Sequence, residues 1–205
     1  MMPQPKLSPD KLFMLVIFLL SRFHAIVREK TDAIEMRAIA SAFGVISLFG
    51  VNVPTDDVFM RRYWTTLGPV IYAPQGHDSL EAHVRVIAHE LTHVVQFWRE
   101  GIGFIVRYGT SRGRAELEAE AERAAIEVWW LLAGSLPVDL DALVITRHGY
   151  ALDESHARLT QDLLETAAVS VSRGVISTDV GLEVLAWLKA HAPDAIVGDV
   201  NEVTR

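Results

Sequence analysis

Apolar residues recur at helical spacing along most of the chain, and the polar residues between them mark starts and stops. Ser8-Pro9-Asp10 reads as a helix start, with Ser8 as cap and Pro9 at the first helical position, where its missing N–H is not needed. The apolar run Leu12 to Leu20 follows, and the spacing predicts a helix to about Glu29. A second start at Thr31-Asp32 leads to Phe43, with Gly44 as the stop, so N-terminal helices occupy 9–43. Residues 45–53 are β-branched and Gly-interrupted and read as loop or short strand. Thr55-Asp56-Asp57 caps a short helix to about Tyr63.

The period then changes. Trp64 to Pro74 is rich in β-branched and aromatic residues, and Gly68-Pro69 inside it restricts it to an edge strand or a hairpin. Ser79 begins a long helix through about Glu100, ended by Gly101. A Gly-rich connector spans 101–113. A helix at 114–133 follows, stopped by Gly134 and Pro137, and two more helices at 153–172 and 178–191 fill the C-terminal part, 153–191. No repeat interrupts this order. The pattern predicts a single α+β domain over 1–205, mainly helical, with a small sheet at 64–74 and one long helix at 79–100.

Composition narrows the function classes. Half of the 205 residues are apolar and 22% are charged, as in a packed globular protein. The net charge of −7 excludes a nucleic-acid binder, which needs a basic surface to neutralise phosphates. There is no cysteine, so any metal must be held by histidines and carboxylates. Leu12 to Leu20 is nine apolar residues, whereas a membrane span needs roughly 18 or more. Lys6 and Lys11 would suit an export signal, but Ser21-Arg22-Phe23-His24-Ala25 is a poor cleavage site. The reading favours a buried core helix and a cytoplasmic protein over an exported or membrane-anchored one.

Within the long helix stand His89, Glu90 and His93. Imidazoles at i and i+4 share a helix face and can share an ion. Glu90, about 100° around, is close enough to act as general base on a metal-bound water without ligating the ion. Arg85, His89, His93 and Gln96 fall on one face; Val84, Ile87, Leu91, Val94, Val95 and Trp98 form the back expected to pack into the core. His83 lies about 120° from His89 and, like His77, reads as structural.

A catalytic zinc takes three protein ligands. The helix at 114–133 offers several acids, and helical phase sorts them. Glu116, Glu120, Arg123 and Glu127 form one strip that can pair internally and is expected to face solvent. Glu118 and Glu122 lie instead beside the apolar stripe of Leu117, Ala121, Ala124, Val128 and Leu131. Carboxylates there are costly unless paired or bound to a cation. Glu118 is the preferred third ligand, with Glu122 accepting a ligand histidine's N–H; the reverse assignment is the alternative.

Ala88-His89-Glu90-Leu91-Thr92-His93-Val94-Val95-Gln96 resembles the extended zinc-helix motif of bacterial gluzincin-like metallopeptidases with a HELTHVVQ core. Their downstream helix carries a Glu-x-Glu-Ala-Asp-like element whose first Glu is the third ligand. Glu118-Ala119-Glu120-Ala121-Glu122 matches it, with Glu122 in place of Asp. The resemblance implies a zincin-like fold in which a strand before the zinc helix, here 64–73, lines the cleft and pairs with a peptide or protein substrate. It further implies hydrolysis of peptide bonds with Zn2+ held by His89, His93 and Glu118 and with Glu90 as base. Tyr108, His148, Tyr150 and His156 are unranked candidates for stabilising the oxyanion. The competing expectation is a zinc-binding protein that keeps the fold without hydrolysing anything.

Overall fold

The computed structural model describes residues 5–47, 56–137, 152–196 and 200–202. Helix α1 spans Pro9–Arg22, its first turn closed by Lys11 N–H donating to the Ser8 hydroxyl. It does not reach Glu29. His24 takes a left-handed conformation (φ 52°) and turns the chain into strand β1, Ile26–Glu29. A 3₁₀ turn at Lys30–Asp32 leads into α2, Ile34–Ser47, which runs through Gly44 rather than stopping there. A glycine inside a helix weakens it by about 1 kcal/mol but does not end it. The short helix α3 covers Asp56–Arg62.

The expected strand region is a hairpin. Strand β2, Thr65–Leu67, turns at Gly68 (φ 61°) into β3, Val70–Ala73. The sheet order is β1-β3-β2: β1 is parallel to β3 with Ile26 opposite Val70, and β2 is antiparallel with Thr65 opposite Tyr72. Among the described residues no strand pairs with the outer edge of β2.

Ser79 makes no side-chain cap; a 3₁₀ turn at Leu80–His83 precedes the long helix α4, Val84–Glu100. Gly101 ends it, and the supposed Gly-rich connector contains a seven-residue helix, α5, at Ile102–Tyr108. Helix α6 runs from Ser111 to Ala133, starting earlier than its acidic run suggests because Thr110 caps it by accepting from Gly113 N–H. Gly113 allows the close approach at this corner: a Cβ there would collide with the Arg107 backbone. Helix α7 spans Glu154–Ser172, capped by Asp153. Helix α8 spans Asp179–His191, capped by Thr178, whose side chain accepts from Gly181 N–H. Two-residue strands β4 (Val175–Ile176) and β5 (Asn201–Glu202) pair in parallel beside them.

The core gathers around α4. Its Ile87, Ala88, Leu91 and Val94 pack with Leu15, Val16 and Leu19 of α1, Ala124, Val128 and Leu131 of α6, and Val184 and Leu188 of α8. The nine-residue apolar run is core on one face only: Leu12, Leu15, Val16 and Leu19 are buried, whereas Phe13, Met14 and Ile17 are exposed, and no described helix is long and apolar enough to cross a membrane. Trp98 departs from the expected buried back: it is 57% exposed. The architecture is α+β and mainly helical.

Candidate metal centre

Helix α4 brings His89 and His93 together by its own pitch. Their Nε2 atoms face each other at 3.1 Å, with the rings edge to face. Helix α6 crosses α4 and supplies Glu118, whose Oε2 lies 3.2 Å from His89 Nε2 and whose Oε1 lies 3.5 Å from His93 Nε2. All three residues are buried and offer ligand atoms within 4.8 Å of one another, a group that could hold a metal ion.

The second nitrogen of each ring decides what the first can do. Gln96 Nε2 donates to Leu117 O (2.9 Å) and to Glu120 (3.0 Å), so its Oε1 is the atom that faces His93 Nδ1, at 2.8 Å. An amide oxygen only accepts, so His93 Nδ1 carries a proton. Glu122 Oε1 lies 3.2 Å from His89 Nδ1, and a carboxylate there likewise takes an N–H. In the neutral rings both Nε2 atoms therefore present lone pairs, to each other and to a carboxylate. Glu118 Oε2 is buried and makes no hydrogen bond of good geometry despite its closeness to His89. Three mutually repelling donors in one buried spot suit a cation.

Size agrees with charge. A tetrahedral zinc with bonds of about 2.0–2.1 Å sets neighbouring ligand atoms about 3.3 Å apart. The two imidazole nitrogens are 3.1 Å apart, and Glu118 comes within 3.2 Å of His89 through Oε2 and within 3.5 Å of His93 through Oε1.

The same crowding shifts the titrations. Burial alone would pull the His89 imidazole down, but the charges of Glu122 and Glu118 outweigh it and raise it well above its ordinary value. His93 is raised as well, burial again being opposed by Glu118. Burial would push the Glu118 carboxyl up; the adjacent His93 and His89 reverse this and hold it well below the usual carboxylate range. These directions describe how strongly the cluster attracts positive charge.

Glu90 lies beside this group and is not part of it. Its Oε2 accepts from the Thr66 hydroxyl at 2.7 Å, so the β2 strand holds the carboxylate in place. Tyr108, at the end of α5, donates its hydroxyl to Glu118 Oε1 at 2.5 Å and stands edge-on to His93. Burial and the Glu118 charge raise its phenol well above the ordinary tyrosine value, so the proton stays on. Ion pairs lock this corner: Arg107 bridges Glu100 and Glu116, and Arg99 binds Glu120.

Of the four unranked candidates, only Tyr108 is seen at the site. His156 instead donates from its ring Nδ1 to Asp153 at the start of α7, and His148 and Tyr150 lie outside the described residues. His77 and His83 pack around Trp64, with ring centroids 5.5 and 5.4 Å from the indole, and take no part in the cluster.

One acid on α6 departs from its expected place. Glu127 is fully buried, not on a solvated strip. It pairs with Arg123 as phase suggested, at 3.0 Å, but also accepts from Ser177 N–H and hydroxyl and from Thr178 N–H and hydroxyl at the start of α8. Phase along α6 cannot reveal that another helix begins there. Gln96 and Thr66 were the supporting residues that sequence reasoning left without a role; for Gln96 the signal was its position three residues after His93.

Two cavities meet at the cluster. The larger, about 330 Å³, reaches His89, Glu90, His93 and Glu118 and is walled by Phe59, Trp64, Leu67, Phe104, Ile105 and Tyr108. The smaller, about 220 Å³, opens on the other side of His89 between Arg62, Arg85 and Glu122.

No family model, curated protein or solved structure matches this chain. What the site can do therefore follows from its own donor atoms.

Proposed function

We propose that the protein is a zinc-dependent peptidase of the zincin type, with His89, His93 and Glu118 as metal ligands and Glu90 as general base. The observation that carries this reading is the orientation of the two imidazoles. Gln96 and Glu122 take their Nδ1 protons, and both Nε2 lone pairs point at one buried carboxylate. When bound, zinc supplies a Lewis acid that lowers the pKa of a water and polarises a carbonyl.

The chain's own residues do the rest. Thr66 engages Glu90 Oε2, leaving Oε1 to take the proton of the attacking water and pass it to the leaving amine. Tyr108 holds Glu118 in position through its hydroxyl. The edge of β2, unpaired by any described strand, offers backbone groups to an extended peptide laid across the cluster.

Glu90→Gln provides the test. The variant should keep stoichiometric zinc and lose peptide hydrolysis by about 10²–10⁴-fold, the usual contribution of a general base. Wild-type protein that holds zinc, yet cleaves no peptide in a diverse library, would instead be a non-hydrolytic zinc protein, and the peptidase reading would fall.

A further inference from the structure

The two cavities beside the cluster differ in chemistry, and the difference bears on substrate. On one side the walls are aromatic and aliphatic: Phe59 from α3, Leu67 from β2, and Phe104 and Ile105 from α5, closed at the inner end by the metal-binding group. On the other side the cavity is smaller and mixed, lined by Arg62, Arg85 and Glu122 beside the small apolar side chains of Val86 and Ala125. Trp64 and Tyr63 line both cavities and form the ridge between them. Glu90 and His89 also touch both, whereas His93 and Glu118 line only the larger one.

From this geometry we infer that, as a deepening of the peptidase reading on which it rests, the substrate is a peptide carrying a bulky apolar side chain, aromatic or large aliphatic, at one of the two residues flanking the cut bond. The other flank carries no apolar requirement. Three observations support the asymmetry. The larger cavity, at about 330 Å³, lies at the small end of the range typical of ligand pockets, which suits one large side chain with part of its backbone. Its mouth is rimmed by Tyr63, Leu67 and Ile105, which are 39, 43 and 52% exposed and present apolar surface where an entering side chain must pass. The partner strand contributes little discrimination of its own. With only Thr65–Leu67 in β2, a paired peptide gains few backbone hydrogen bonds, and these do not depend on side-chain identity.

Burying a large apolar side chain in such a pocket favours it over a small one by about tenfold or more, and a charged side chain fares worse still. The experiment uses the full-length zinc-loaded protein and a synthetic peptide library randomised on both sides of the central bond, with products read by mass spectrometry. Cleavage that is lost in Glu90→Gln and enriched at least tenfold for Phe, Leu, Met or Trp at one flank only is the expected result. Ile105→Glu, at a half-exposed position on the pocket rim, should fold normally and cut kcat/KM for such peptides by at least about tenfold while sparing peptides with a small residue there. Glu90-dependent cleavage with no apolar enrichment at either flank, or an unchanged selectivity ratio in Ile105→Glu, overturns the inference and leaves the peptidase reading standing.

A second readout separates the two failures. Zinc-loaded Glu90→Gln is titrated calorimetrically with an uncut Phe-containing peptide and its Ala counterpart. At least tenfold tighter binding of the Phe peptide supports the pocket assignment even if the wild type cleaves nothing; equal affinity overturns it.

Discussion

The proposed roles of Glu118 as metal ligand and of Glu122 as the acceptor that orients His89 can be tested without any substrate. Glu118 points its oxygens at the Nε2 atoms of both histidines, whereas Glu122 reaches the Nδ1 atom on the far side of the His89 ring. Glu118→Gln therefore removes a ligand, while Glu122→Gln removes the acceptor that orients one. Zinc at 100 times its Kd stabilises the folded chain by about 2.7 kcal/mol. For a chain of this size that is a rise in Tm of about 5–11 °C. Losing an orienting acceptor weakens metal binding by about 10–100-fold. At the same zinc concentration Glu122→Gln would then retain about 0.4–1.4 kcal/mol of stabilisation, a rise of about 1–6 °C. Raising zinc further restores the full shift in Glu122→Gln, but Glu118→Gln shows none at any concentration short of non-specific binding. The assay is thermal unfolding across a zinc titration, with bound metal counted by elemental analysis. A full shift in Glu118→Gln together with none in Glu122→Gln would reverse the assignment, and a full shift in both would remove α6 from the metal site.

Three further outcomes follow from the same structure. Tyr108→Phe deletes the hydroxyl that holds Glu118 and should weaken zinc binding by about 10–100-fold, read by competition with a chromophoric chelator; unchanged affinity would mean that Tyr108 does not position the ligand. Glu127→Gln keeps the shape but removes the buried charge facing four donors of Ser177 and Thr178, and should cost about 3–5 kcal/mol in urea unfolding; a loss under 1 kcal/mol would show that the clamp is not electrostatic. Lys30 is buried against the Phe59 ring and donates to Phe59 O, and burial lowers its ammonium to about 8, with the Glu90 charge opposing. Below that pH both states are protonated. Above it, towards the ordinary value of 10.5, the unfolded chain binds a proton that the folded chain has released, so stability rises with pH. Between pH 8 and 10 the urea midpoint of the wild type should climb relative to Lys30→Met; parallel curves would refute the shift.

The residues that meet at the cluster were legible because their positions depend on one helix's own geometry. The spacing of four fixes His89 beside His93, and the phase of α6 separates Glu118 and Glu122 from Glu116 and Glu120. What stayed hidden depends on neighbours. Glu127 has the phase of a surface residue, and only the arrival of α8 buries it. Ile26 and Val27 continue the apolar character of α1, and the turn at His24 that makes 26–29 a strand is a backbone event that no composition announces. Four glycines at 101, 103, 109 and 113 suggested a connector, yet the first and last serve the helix boundaries and leave room for α5 between them. The cavity walls come from α3, β2 and α5, whose mutual placement is tertiary.

Two of the three buried carboxylates of α6, Glu118 and Glu127, stand nine residues, or two and a half turns, apart. A half-turn offset puts them on opposite sides of the helix, one fastened towards α4 and the other to the first residues of α8. Such a helix resists rolling about its own axis. Side-chain tips lie about 5–6 Å from that axis, so a roll of about 10° would move a ligand oxygen by about 1 Å. Misplacement on that scale is enough to cost a catalytic site about 10²-fold. Glu127 and α8 thus act as a torsional brace, and the aim of Glu118 is set partly by contacts on the far side of its own helix.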